Sequence, residues 1–537
     1  MKRPSNTHEP RGGRLTRRHV IGTSIGAMVT AGLAPFSARA QSTPSATPAA
    51  SPASTRSADS WFVVSAQQEG GGFTYQADVF EVYSGSTLER LGGFRAPGTT
   101  GMCVTADPSK ILLAGESELR IFDLQTGKVI DVDLGGNVPD SGFWLPDPRV
   151  FQTAPPRWAF VRALDGSQAW LVDLKNATAT DLMAILADPG STPAFPNMVF
   201  APDGDLAAAI VDGTGASIFD PQHPEKARKL DGGQRGAAAS LPSFSGSGTR
   251  VVYSILSSPT ATEGTILVEE VASQKTLFTI GNVSATTSAI FLPSSDDELI
   301  IMGDGEVARQ SIDSAREAWS VDTKQFPYGY GFTADDRQFL FGSTEQIGGD
   351  IFWDVIDVDA GAETALDGLE GLTFYNGSYA AESNYTLFGP VYKSPSEDNV
   401  DALVGFNSDN NEVTPLVDDV SSWALSYGYS TSADGRIALF VDHDAHLMNL
   451  ETGDVQTFPE FSTGSSSRGS FVSPDGSKAA ISAWDTTGAG TQRIYLIDVA
   501  GGGAPELFRD GVIWMWAGGA EDKGTRARRI LAPRSLA

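Results

Sequence analysis

The residues best suited to chemistry stand together at Asp442-His-Asp-Ala-His446, in a chain of 537 residues that holds only five histidines and one cysteine. If this segment is extended, side chains alternate and Asp442, Asp444 and His446 share one face. Two carboxylates and an imidazole then converge as a divalent cation requires, with Ca2+ the metal such a set would take. The same five residues also suit a solvated hairpin in which Asp serves the turn geometry. Little else in the chain could run acid–base or nucleophilic catalysis. Beyond residue 40 the histidines are His223, His443 and His446. No Gly-x-Ser-x-Gly elbow, His-Glu-x-x-His helix or Cys-x-x-Cys pair occurs, so no catalytic residue is assigned. No cofactor is expected apart from Ca2+ at this segment, and the binding residues cannot be named. Gly70-Gly-Gly-Phe73 and Gly501-Gly-Gly-Ala504 precede no helical pattern, which makes them loops rather than phosphate cradles.

Whatever positions these residues is repetitive. The clearest unit runs from Phe471-Val-Ser-Pro-Asp-Gly-Ser-Lys-Ala-Ala-Ile-Ser-Ala-Trp484 through Arg493-Ile-Tyr-Leu-Ile-Asp-Val499 to Glu506-Leu-Phe508. It reads as an apolar strand, a tight turn, a second apolar strand, a third strand ending in Asp, and a polar fourth. The first turn recurs near Asp107, Asp147, Asp203, Ser247, Asp296, Asp335, Glu382, Asp434 and Asp475, a period of about 46 residues. Asp-Gly and Pro-Asp-Gly preset hairpin backbones, and the runs that follow, such as Arg250-Val-Val-Tyr253 and Gln338-Phe-Leu-Phe341, are dense in residues that pack on both faces of a strand. Third strands rhyme as Leu119-Arg-Ile-Phe-Asp-Leu124 and Ala169-Trp-Leu-Val-Asp-Leu174.

Four strands per unit at this period predict an all-β fold, a single large β-propeller of seven to ten four-stranded blades, because one blade cannot bury both of its faces alone. The phrases near Asp147 and Glu382 are degenerate, which favours seven or eight. No stretch after the N-terminal region sustains a helical pattern. Residues 61–97 supply three strands without an inner one, and Val512-Ile-Trp-Met-Trp-Ala517 supplies an inner-strand pattern. Pairing them closes the ring and removes its exposed edges. Arg528-Arg-Ile-Leu-Ala532 echoes Lys110-Ile-Leu-Leu-Ala114 and is expected to continue that closing blade.

The units Ala201-Pro-Asp-Gly-Asp205 and Ser473-Pro-Asp-Gly-Ser-Lys478, with Ile494-Tyr-Leu-Ile-Asp498, resemble the WD40-like repeats of the bacterial TolB and YVTN propeller group. The resemblance covers residues 61–517 as a pattern and is strong in three or four units. The regular Trp-Asp and Gly-His signatures of eukaryotic WD40 repeats are absent. It implies an exported propeller that binds a protein, peptide or glycan through loops on one face and the central channel.

The N-terminus carries an address. Thr16-Arg-Arg-His-Val-Ile21 is similar to a twin-arginine (Tat) export signal built on Arg17 and Arg18, with Val20 and Gly22 departing from the family's preferred residues. An apolar stretch follows, and then Ala38-Arg-Ala40, whose Ala38 and Ala40 form an A-x-A cleavage site. The alternative is an uncleaved membrane helix, against which the short apolar span and Pro35 speak. The expected organisation is a signal peptide over 1–40, a Pro/Ser/Ala/Thr-rich linker over 41–60 and the propeller over 61–537. After signal removal no integral membrane segment is expected, and the product is a soluble periplasmic, cell-surface or extracellular protein.

The formal net charge of −28 repels phosphate backbones and anionic membranes, which excludes nucleic acid as a partner. Cys103 is the only cysteine, so no intrachain disulfide exists; its strand context makes it a small core residue. The function expected is a monomeric, non-catalytic binding or scaffold protein. The alternative is a propeller enzyme, lactonase-, lyase- or quinoprotein-like, using channel carboxylates with Ca2+.

Overall fold

In the strand Lys110–Ala114, Ile111 and Leu113 pack toward the preceding part of the chain, among Phe80 and Phe94, while Leu112 and Ala114 pack toward the following part, among Val161 and Trp170. Period-two alternation therefore buries both faces, which is why such strands read as unbroken apolar runs. The same division recurs along the molecule. The computed structural model describes residues 60–518 apart from connecting segments, the longest being 67–76, 145–156, 188–196, 418–429 and 460–469. Residues 1–59 and 519–537, and with them Arg17, Arg18, Ala38, Ala40 and the 528–532 echo, lie outside the described residues.

The described strands form ten antiparallel sheets, nine of four strands and one of five. We number the sheets in chain order. The first joins Ser60–Ser65, Ala77–Ser84 and Arg90–Thr99 to Val512–Gly518; the others span 101–131, 143–181, 197–229, 237–284, 288–322, 326–365, 372–417, 430–458 and 470–510. Eight apolar clusters each join one sheet to the next, and one of them joins the tenth sheet back to the first. This is a β-propeller. The degenerate phrases near Asp147 and Glu382 mark full sheets, because their length lies in long connections and not in missing strands. Asp147, Glu382 and Asp434 themselves are outside the described residues.

Closure follows the expected pairing. The C-terminal strand is the inner strand of the first sheet, with Phe62 opposite Trp516, Val63 opposite Met515 and Val64 opposite Ile513. The Phe62 ring lies 4.8 Å from that of Trp516 and 5.5 Å from that of Tyr83.

Two turn devices repeat. Before the first turn a hydroxyl two residues ahead of the anchor accepts the amide that opens the second strand: Gln338 N–H donates to Thr333 Oγ1 at 3.1 Å and Lys478 N–H to Ser473 Oγ at 2.9 Å. After the third strand, the terminal Asp or Asn accepts two amides as an Asx turn. Gln125 and Thr126 donate to Asp123 at 2.9 Å, and Asp359 and Ala360 to Asp357 at 3.0 and 2.7 Å. That is why third strands end in Asp.

The residue four positions on from the start of that turn takes positive φ, as in Gly127 (66°), Gly361 (66°) and Gly453 (75°), but also Gln274 (59°). Gln274 is exposed, so its side chain gains little to offset the left-handed strain. Gln274→Gly is expected to raise stability by about 0.5–1 kcal/mol, the relief of strain exceeding the added freedom of the unfolded chain. A rise in urea midpoint at unchanged m would register it.

Among the described residues two short helical elements depart from the all-β expectation, a single 3-10 turn at Pro224–Lys226 and one α-helix. Leu182–Leu186 is a short helix whose N-cap Asp181 accepts from Met183 N at 2.9 Å and Ala184 N at 3.1 Å, burying Leu182, Met183 and Leu186. At five residues it is too short for a periodic signal to reveal. Cys103 is a buried thiol outside any disulfide, as its strand context implied.

Candidate functional site

Antiparallel topology sorts the connections to two ends. Turns between first and second strands, and between third and fourth, lie at one end; hairpins between second and third strands, and the passages from sheet to sheet, lie at the other.

The turn end is rich in carboxylates, yet many of them already have work. Burial pushes the Asp475 carboxyl up, but hydrogen bonds from Ser473 and Ser477 and the charge of Lys478 outweigh it and hold it below the usual range. Asp173 is likewise raised by burial and more strongly lowered, chiefly by Arg157, whose Nη2 lies 2.7 Å away. Carboxylates with lowered values add stability that is present above their unfolded-state values and is lost as pH falls through the folded ones. Other charged groups fasten neighbouring sheets: Arg309 pairs with Glu298 at 2.5 Å in its own sheet, and reaches Asp359 at 3.1 Å and the Val358 carbonyl at 2.7 Å in the next. Arg509 pairs with Glu81 and bonds the Tyr83 hydroxyl at 2.7 Å across the closing junction.

The hairpin end carries the candidate metal residues. Strand Ile437–Val441 pairs with Ala445–Asn449, with Val441 opposite Ala445, so the chain reverses between those two residues. His446 is buried in the third strand; its Nδ1 lies 3.1 Å from Thr457 Oγ1, and its ring stacks on Phe440 with centroids 5.5 Å apart. Asp444 stands at the foot of that strand, while Asp442 and His443 are outside the described residues. Among the described residues no group of three or more His, Cys, Asp or Glu is placed to hold a metal ion.

No family model matches the sequence, and no curated protein matches it. The likeness is to solved propellers. A eukaryotic initiation factor structure matches at 8% identity with a TM-score of 0.46, over 87% of this chain and 100% of that one. The C-terminal WD40 domain of Sif2 matches at 11% identity with a TM-score of 0.39, over 78% of this chain and 95% of that one. The dihydro-heme d1 dehydrogenase NirN matches at 12% identity with a TM-score of 0.38, over 88% of this chain and 78% of that one. No helix among the described residues is long and apolar enough to cross a membrane.

A second cluster, not foreseen from the sequence, lies between the sixth and seventh sheets. Asp354 sits within strand Ile351–Asp357 and is only 9% exposed. Around it are Glu363 on the neighbouring outer strand, Asp322 at the end of the sixth sheet, and Lys324, whose Nζ lies 3.1 Å from Glu345 and 4.8 Å from the centre of the Phe352 ring. The signal that could have found it is a carboxylate in the middle of Ile351-Phe-Trp-Asp-Val-Ile356, where every other residue is apolar.

Proposed function

We propose that this chain is an exported, non-catalytic binding or scaffold propeller of the cell envelope or the secreted space, related to the TolB and YVTN group. Its ligand is a protein, peptide or glycan, it works as a monomer, and its cell-envelope address is the twin-arginine signal at Arg17 and Arg18. The observation that carries the reading is the contrast between core and connections. Eight junctions between sheets, the closing one included, are packed by alternating apolar faces among the described residues, whereas the hairpins between second and third strands range from 304–305 to 66–76. Rigid scaffolds with uneven loops at one end are the usual platform for recognition. The acidic net charge of −28 favours partners that are neutral or basic.

The alternative enzyme reading rests on Asp442, Asp444 and His446 holding Ca2+. Thermal unfolding of residues 41–537 separates the two, since a ligand that binds only the folded state raises the melting temperature by mass action. The expected result is no change with EDTA and a rise of several degrees with a member of a peptide and glycan panel. A fall in EDTA restored by Ca2+, and abolished in Asp442→Asn, would instead establish the metal site. Replacing Arg17 and Arg18 together by Lys is expected to keep the protein in the cytoplasm; export undiminished by that change would refute the twin-arginine route.

A further inference from the structure

We infer that the junction between the sixth and seventh sheets is a proton-operated clamp, closed when Asp354 carries its proton and loosened when it does not. The argument starts from the register. Asp354 is opposite Ala365, and Ile356 is opposite Glu363, so Phe352, Asp354, Ile356 and Glu363 share the face that packs on the sixth sheet. On that face Ile356 joins Val321, Val307 and Phe339 in a closed apolar cluster. Below it the junction is pinned by directed bonds, Trp319 Nε1–H to the Val358 carbonyl at 2.9 Å and Arg309 to the same oxygen at 2.7 Å. Above it the passage between the sheets is tied through Lys324, whose N–H donates to Ser343 Oγ at 3.3 Å and whose Nζ donates to Glu345 at 3.1 Å. Between these two sets of bonds stands a carboxyl that is 9% exposed and accepts no hydrogen bond from the described residues.

The charges that face this carboxyl do not rescue it. On its own sheet the nearest is Glu363, a like charge, itself pushed up by partial burial and by Asp322 although its side chain is largely exposed. From the sixth sheet come Asp322 and, in the passage between sheets, Lys324, the one cation acting on Asp354. Lys324 is already engaged by Glu345 and by the Phe352 ring. Arg309 is committed lower down to Glu298 and Asp359. Burial first, and then the charge of Glu363, raise Asp354 to about 6 against an ordinary 3.8, with Lys324 opposing.

The sign follows from linkage. The folded junction binds a proton that the opened one releases, so its closure is tightest below the unfolded value, weakens as pH rises from about 4 through 6, and is constant above that. A displacement of about two pKa units sets an upper limit of ~100-fold on the change in the opening equilibrium. The clamp thus makes one junction of the ring firmer in mildly acidic surroundings.

Hydrogen exchange of the full exported chain tests this, read on peptides covering 317–324 and 351–357 and corrected for the intrinsic effect of pH. Wild type is expected to exchange up to ~10-fold more slowly at pH 5 than at pH 7.5 in these peptides, with no such change in peptides of the second and third sheets. Asp354→Asn, which is neutral at both pH values, is expected to be protected at both. Should Asp354→Asn not fold, Lys324→Met gives the second reading, since removing the one opposing cation is expected to move the transition to higher pH. A wild type whose corrected protection is the same at both pH values, an Asp354→Asn protein with the wild-type pH response, or a Lys324→Met transition that does not move would each overturn the clamp.

Discussion

Deleting residues 511–537 is expected to leave no folded monomer. The strand Val512–Gly518 is the inner edge of the first sheet, and its loss strips Ser60–Ser65 of one whole ladder of hydrogen bonds. It also removes Ile513 and Trp516 from the cluster that fastens the tenth sheet to the first, and Met515 from the cluster that fastens the first to the second. Removing a single buried Trp, Ile or Met typically costs about 2–5 kcal/mol, so losing three large side chains together reaches the ~5–15 kcal/mol that holds a whole protein folded. The bared edge then invites pairing with another chain. Size-exclusion chromatography should show aggregate or nothing soluble, and deletion of 519–537 alone, which spares the strand, is the control. A graded version is Trp516→Ala, for which a drop of about 3–5 kcal/mol at unchanged m is expected in urea. A 511–537 deletion that unfolds cooperatively at the parent's midpoint would show that the ring does not depend on its closing strand.

That closure was legible because it needs only arithmetic on strands, three at one end and one at the other. The turn anchors were legible for a different reason: Asp335 or Asp475 accepts the amide two residues on, from Arg337 or Ser477, so the whole device lies within a few consecutive residues. Even so, half of it went unread, since the hydroxyl ahead of the anchor, Thr333 or Ser473, is as regular as the Asp. Contacts between sheets were not legible at all. Arg309 meets Asp359 across 50 residues of chain, and nothing local says that two such positions face each other; that depends on how one sheet is rotated on the next. Asp354 is the instructive intermediate. Its anomaly is visible in the strand, but the charges that define its behaviour come from three separate elements. At 442–446 the structure places His446 within the third strand and Asp444 just ahead of it, a placement decided by the pairing of two strands and not by the five residues themselves, while Asp442 lies outside the described residues.

Arg228→Met is expected to be among the most damaging single substitutions in the molecule, although Arg228 is no core residue. Glu269 is 4% exposed within Glu263–Glu270 of the fifth sheet, and Arg228, on the outer strand of the fourth, brings Nη2 to 2.5 Å from its Oε1. That approach is an ion pair without hydrogen-bond alignment, for Oε1 has no aligned donor. The remaining support is one long bond from the Tyr253 hydroxyl to Oε2 at 3.3 Å. Coulomb attraction is thus the principal compensation for the desolvated carboxylate. Removing the guanidinium leaves that charge buried and unpaired, at a cost of about 3–5 kcal/mol. Removing both charges together, as Arg228→Met with Glu269→Met, eliminates the desolvation cost along with the attraction. The double variant is expected within about 1 kcal/mol of the parent, with Val251, Tyr253 and Ile218 on the same face showing that the fourth and fifth sheets already pack apolar side chains there. The double-mutant cycle should therefore give a coupling of about 3 kcal/mol. Additive losses in the double variant would mean that the pair holds the fourth and fifth sheets by shape rather than by charge.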